Sequence, residues 1–147
     1  MIIENTSLKP EDFMQIRRFA VQFVYQQDIH QQFTVETKTL ESFVNQAMVP
    51  QNQRAFLQML IGALFDDLKN IDTLIEKHAL NWKMSRIAKV DLAVLRVVTL
   101  ELMQRLGTDV GVLLAEAAAV SHEYGTENSA AFVNGVLDAI AKDVRKE

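Results

Sequence analysis

Apolar side chains return every three to four positions along most of this chain, the spacing that gathers them on one face of an α-helix. Phe13, Ile16, Phe19, Ala20, Phe23 and Val24 share one arc of a first helix that begins near Pro10. Proline suits a first helical turn because its missing N–H would be unpaired there anyway, and Glu11 and Asp12 complement the positive end of the helix dipole. Arg18 and Tyr25 fall away from that arc, about two turns apart on one solvent-facing stripe. A short second helix is expected from Glu36 to Ala47, with Leu40, Phe43, Val44 and Ala47 inward, and Pro50 separates it from the next element. A longer stripe then runs from Asn52 to His78 through Phe56, Leu57, Leu60, Ile61, Leu64, Phe65, Leu68, Ile71 and Ile75. Its length predicts a kink or a join, placed at Asn70-Ile71-Asp72.

The next segment changes character. From Arg86 to Leu106, with Ser85 as N-cap and Gly107 as stop, apolar residues occupy nearly every face. Ile87, Val90, Val94, Val98 and Leu102 make one stripe, and Leu92, Ala93, Leu100 and Met103 make others. A helix apolar all round is a buried one, so this segment is expected to be the central post. Asp91 and Glu101 lie within its apolar surface, where an unpaired carboxylate is costly. Each therefore needs an ion pair or hydrogen bond, or serves as a polar anchor for a protein lying across the helix. An alanine-rich helix from Asp109 to Glu123 and a last helix from Asn128 to Asp143, with Val133, Val136, Leu137, Ile140 and Val144 inward, complete an all-α chain of six to seven helices.

Composition narrows this picture. The 147 residues suit one helical domain over 1–147, and 49% hydrophobic content supports a core rather than disorder. There is no cysteine, hence no disulfide and no thiolate chemistry. No basic leader followed by an apolar stretch opens the chain, and no run of about 18 apolar residues could cross a bilayer, so a cytoplasmic setting with no membrane role is expected. Asn5-Thr6-Ser7 matches a glycosylation sequon that carries no meaning without secretion. A net charge of −4 excludes a bulk positive field for gripping nucleic acid, so any such binding must come from a local patch.

Catalytic patterns are missing. His30, His78 and His122 lie far apart without metal-ligand spacing, so neither a metal nor a cofactor is expected. Ser121-His122-Glu123 has triad residue types, but helix neighbours point about 100° apart and cannot form a relay. What the chain does carry is aromatic and amide chemistry around one polar turn. Tyr124 precedes it, and Asn128, Ser129 and Phe132 come after it. Phe132 at the border of its helix's apolar arc is either a stacking platform for unpaired bases or ordinary packing at the core edge. Arg18 and Tyr25, with Arg17 beside them, form a second pair of phosphate-binding cation and ring, or simply a solvated surface.

Three blocks of this sequence resemble the NusB family. They are Arg17-Arg18-Phe19-Ala20 through Tyr25 to Asp28; Trp82 through Arg86-Ile87, Val90-Asp91 and Leu95-Arg96 to Glu101-Leu102; and Glu116-Ala117, Tyr124-Gly125 and Ser129 with Phe132-Val133-Asn134-Gly135-Val136-Leu137. The resemblance implies two small helical bundles packed across each other and a non-enzymatic adaptor. It implies that ribosomal protein NusE is the partner, that the pair binds single-stranded boxA RNA, and that the assembly joins RNA polymerase in antitermination on ribosomal RNA operons. On this reading Lys9, Arg17, Arg18, Tyr25, Tyr124, Asn128, Ser129 and Phe132 face RNA and Asp91 faces NusE.

The start of the first helix departs from the family. Its members carry a denser arginine cluster there, whereas Phe13, Met14, Gln15 and Ile16 precede Arg17 in this chain. Each missing phosphate contact removes a counterion-release contribution, so RNA binding is expected to be weak without NusE. Met14 beside exposed aromatics suits a homodimer interface that covers the RNA face. A helical scaffold or homodimer without RNA binding of its own, and an accessory module of an RNA methyltransferase, are the competing readings.

Overall fold

The computed structural model describes residues 7–80, 82–104 and 106–145, so Asn5 and Thr6 of the sequon-like triplet lie outside the described residues. Among these, seven α-helices and two short 3-10 turns occur in order: α1 (Pro10–Ile29), α2 (Thr37–Gln46), a turn at Gln51–Gln53, α3 (Arg54–Asp66), α4 (Leu68–His78), a turn at Met84–Arg86, α5 (Lys89–Gln104), α6 (Val110–Tyr124) and α7 (Ser129–Val144). The all-helical expectation holds, while the α3–α4 join moves and the central helix is shorter at both ends than the expected Arg86–Leu106.

The long amphipathic stretch breaks at Asp67, three residues before the predicted site. Its apolar stripe runs unbroken through the join, so periodicity could not locate it. Local polar chemistry does: the Asp67 backbone leaves helical geometry (φ −111°, ψ 17°), and its carboxylate accepts a 2.7 Å bond from Asn70 Nδ2. Ser85 is not the cap of the central helix. It sits in the 3-10 turn, and the first bond of α5 runs from Leu92 N–H to the Ala88 carbonyl.

α5 is the post around which the rest is arranged. Every residue from Asp91 to Leu102 is buried. α1, α3 and α4 pack on it from one side, α6 and α7 pack on it and on each other, and α4 also reaches α7. α2 joins through Leu40 and Val44 and through Phe43, whose ring meets Phe23 edge-on at 5.2 Å.

Charge inside this core is organised in two clusters that bind α5 to its neighbours. Glu101 accepts a 2.7 Å bond from Arg17 Nε of α1. The same guanidinium pairs with Glu116 of α6 and donates to Thr108 Oγ1 at 3.0 Å. Burial pushes the Glu101 carboxyl up, and Arg17 only partly reverses this. Burial pulls Arg17 the other way, but Glu101 and Glu116 hold it above its ordinary value. One turn earlier on α5, Arg96 makes a bidentate contact with Asp72 of α4 (2.9 and 3.0 Å) and reaches Asp28 of α1 at 3.5 Å.

Replacing Arg17 with Met should leave Glu101 charged and buried, at a cost of about 3–5 kcal/mol in urea denaturation at neutral pH. The Glu101 pKa already lies above its ordinary 4.5 in the folded state, and losing Arg17 raises it further. The folded variant therefore binds a proton more readily than the unfolded chain, so its deficit relative to wild type should narrow as pH falls toward 4.5. A deficit that stays constant with pH would contradict this account.

Candidate functional site

The predicted site residues separate into two adjoining grooves and two outliers. In the first groove, Arg18, Val21, Gln22, Tyr25 and Gln26 of α1 face Phe43 of α2, Val90 of α5 and Tyr124 of α6. The two-turn spacing of Arg18 and Tyr25 does put them on one stripe. Tyr25 and Tyr124 are exposed, at 37% and 49%. The Arg18 guanidinium stands 6.0 Å from the Tyr124 ring centre and pairs with Glu123. Burial lowers the Arg18 pKa, yet hydrogen bonds to Glu123 and Tyr124 carry it above its usual value. Glu123 is held down by the same contact with Arg18. Arg18 is thus a half-exposed cation whose charge is already engaged.

The second groove, about 270 Å³, lies between the Met84–Arg86 turn and the start of α7. Trp82, Arg86, Ile87, Ala88 and Asp91 line one side, and Thr126, Asn128, Ser129 and Phe132 line the other. Phe132 is half-buried, and its ring meets Trp82 edge-on at 5.8 Å. The two grooves adjoin at the first turn of α5, where Val90 lines one and Ala88 and Asp91 the other. The α6–α7 turn connects them on the opposite side, from Tyr124 to Asn128.

Arg17 is a correction. Expected as a surface cation, it is 3% exposed and fully occupied by Glu101 and Glu116. Its position on the helix faces α5 and α6, and a residue one place from Arg18 points about 100° away from it. Lys9 is exposed at the N-terminus of α1, outside both grooves; its backbone N–H is capped by Asp12 at 2.9 Å. Asp91, expected to face a protein, is buried at 7% exposure and lines the groove that holds Phe132. Burial pushes its carboxyl up and a hydrogen bond from Ser129 draws it back, leaving it raised. Ser129 itself is 2% exposed. Its role is internal: the Oγ accepts from Thr126 N–H at 2.9 Å and so fastens the turn into α7.

Two residues of this site were absent from the sequence-based set, Trp82 and Arg86. The chain's one tryptophan, in a polar stretch between two amphipathic helices, was the available signal. At 52% exposure it does not act as a core residue.

Gly125 holds the turn closed. A Cβ there would lie 2.4 Å from Ser129 Oγ and 2.6 Å from the Ser121 carbonyl, closer than atoms can approach. Gly125→Ala should force α6 and α7 apart at a cost of about 1–3 kcal/mol, read as a lowered denaturation midpoint. Gly62→Ala, with no neighbour near its Cβ position, should show no such loss.

Comparison with known proteins agrees with this architecture. The chain is 39% identical over 97 residues to the transcription antitermination protein NusB of Syntrophotalea carbinolica, covering 66% of this chain and 62% of that protein. It is 34% identical over 139 residues to the NusB of Borreliella burgdorferi, covering 88% of this chain and 94% of the relative. Among solved structures, the crystal structure of antitermination factors NusB and NusE with double-stranded RNA holds a chain of the same fold. That chain has a TM-score of 0.81 and 22% identity, over 92% of this chain and 99% of its own length. With the NusB family model matching residues 14–142 as well, the chain belongs to the NusB family.

Proposed function

We propose that this protein is a non-enzymatic, cytoplasmic RNA-binding adaptor that works with ribosomal protein NusE on boxA-type RNA, within the antitermination assembly of RNA polymerase. The observation that carries this reading is the pair of adjoining grooves. Tyr25 and Tyr124 offer ring faces in one, Trp82 and Phe132 offer them in the other, and Arg18 and Arg86 stand beside them. Rings next to arginines on an otherwise acidic chain suit unpaired bases and their phosphates, and they need no field from the whole molecule. The family relatives are named as antitermination proteins, and a NusB chain of this fold is found with NusE and RNA. In this role Arg17 acts by fixing α1 rather than by touching RNA. Lys9 is a peripheral cation, and Asn128 borders the second groove.

The first groove also supports a dependence on the partner. Arg18 must exchange Glu123 for a phosphate before it contributes, so NusE is assigned the task of completing the basic surface. The test is titration of a fluorescent boxA RNA with the protein alone and with NusE. Binding should be weak alone and tighten with NusE. Tight binding without NusE, or no RNA affinity in either case, would overturn the respective part of the reading; the latter outcome favours a scaffold that contacts protein only. Tyr124→Ala should cost about 1–3 kcal/mol of RNA affinity, and Arg18→Ala should reduce the salt-dependence slope by about 0.7. Glu123→Gln, which frees the guanidinium, should strengthen binding by a few-fold.

A further inference from the structure

Past Gln26 and Phe43 the first groove does not close. Both residues also line a further cleft, of about 390 Å³, between the end of α1 and the outer face of α2. Gln26, His30 and Gln32 stand on one side, and Lys38, Ser42 and Gln46 on the other, all six exposed. Helical spacing explains the α2 wall: Lys38, Ser42 and Gln46 recur every four residues, turned away from the buried Leu40 and Val44. No carboxylate lines the cleft. Glu36 precedes α2 outside it, Glu41 lines a separate groove with Arg54, and Asp28 is buried and held by Lys89. The side chains of His30, Lys38, Ser42 and Gln46 have no hydrogen bond or ion pair among the described residues. Lys38 thus differs from Arg18, whose charge Glu123 engages. It also stands in the first turn of α2, where the helix dipole favours an anion. On a chain of net charge −4, this is a cleft whose ionisable groups are all cation-forming and which opens directly off an aromatic groove.

We propose that the RNA track runs on from the tyrosine groove into this cleft, so that the bound strand continues along α1 and over the outer face of α2. The inference rests on the RNA-binding reading above and adds a further stretch of footprint to it, with Lys38 as its phosphate contact. Lys38 supplies an uncommitted charge. The glutamine amides and the Ser42 hydroxyl both donate and accept, which suits base edges and ribose hydroxyls of any sequence. No exposed tyrosine, tryptophan or phenylalanine lines the cleft, since Phe43 is half-buried and edge-on to Phe23. This stretch therefore holds the strand by its phosphates and polar edges rather than by stacking. An extended acidic peptide would meet the same cation, but it would leave the neighbouring Tyr25 and Tyr124 without a role. A strand of unpaired nucleotides uses both.

The experiment compares a boxA RNA with the same RNA lengthened by a few uridines at its 5′ or its 3′ end, titrated against the full chain by fluorescence anisotropy at low salt. At one of the two ends the added uridines should tighten binding by roughly tenfold, the scale of hydrogen bonds to a charged group. Lys38→Gln should remove most of that gain and lower the salt-dependence slope for the lengthened RNA by about 0.7, while the unlengthened RNA stays within about twofold of wild type. Gln46→Ala, at an uncharged wall residue, should weaken the lengthened RNA alone and keep its slope. No gain at either end, a gain that survives in Lys38→Gln, or a loss that falls equally on the unlengthened RNA overturns the inference and leaves the RNA-binding reading standing. An oligoglutamate peptide whose binding needs Lys38 but does not cost the lengthened RNA its gain would assign the cleft to acidic protein and overturn it too. If no RNA of any length binds, the RNA-binding reading itself fails, and the inference falls with it.

Discussion

A helix buried on all sides that nevertheless carries charge is the constraint on which this structure depends. α5 takes Arg96 and Glu101 into the interior, and neither can remain there alone. Glu101 draws α1 and α6 together through Arg17, and Arg96 draws α4 and the end of α1 through Asp72 and Asp28. Hydrophobic burial is non-directional and would tolerate a rotated or shifted packing of the same helices. These paired charges have one geometry each, so they set the register in which α1 lies on α5.

That register in turn creates the site. With Arg17 turned inward, the neighbouring face of α1 presents Arg18, Gln22 and Tyr25 outward, and with the buried Val21 beneath them these become one wall of a groove. The opposite wall depends on Tyr124, whose position is set by the end of α6 and by the close approach of Gly125 to Ser129. The same turn places Phe132 against Trp82. A buried ion pair, a glycine and a serine that fastens the turn thus control the placement of the groove residues. The walls of the first groove are helical, whereas the second is walled largely by the Met84–Arg86 turn and the α6–α7 turn.

The electrostatics of the two grooves differ, and the difference matters for what each can do. In the first, the cation is already balanced by Glu123, so the groove is mainly aromatic until a stronger anion arrives. In the second, Arg86 is on the rim and Asp91 is on the inner wall, a separation that favours a ligand with its own charge asymmetry.

Periodicity by itself determined the helical class, the central burial of α5 and the shared stripe of Arg18 and Tyr25. These are local properties, set by which residues recur every three to four positions. It also marked Asp91 and Glu101 as carboxylates in need of partners. It could not place the α3–α4 join, because the apolar stripe passes through it and a side-chain bond between Asn70 and Asp67 decides. Nor could it tell Arg17 from Arg18: adjacent arginines are equivalent as letters, and only the packing of α1 against α5 and α6 makes one a core ion pair and the other a surface cation. Trp82 and Arg86 joined Phe132 for the same reason. Residues some fifty positions apart meet only when α5 and α7 are packed, and that packing is a balance of non-local contacts that no single segment encodes.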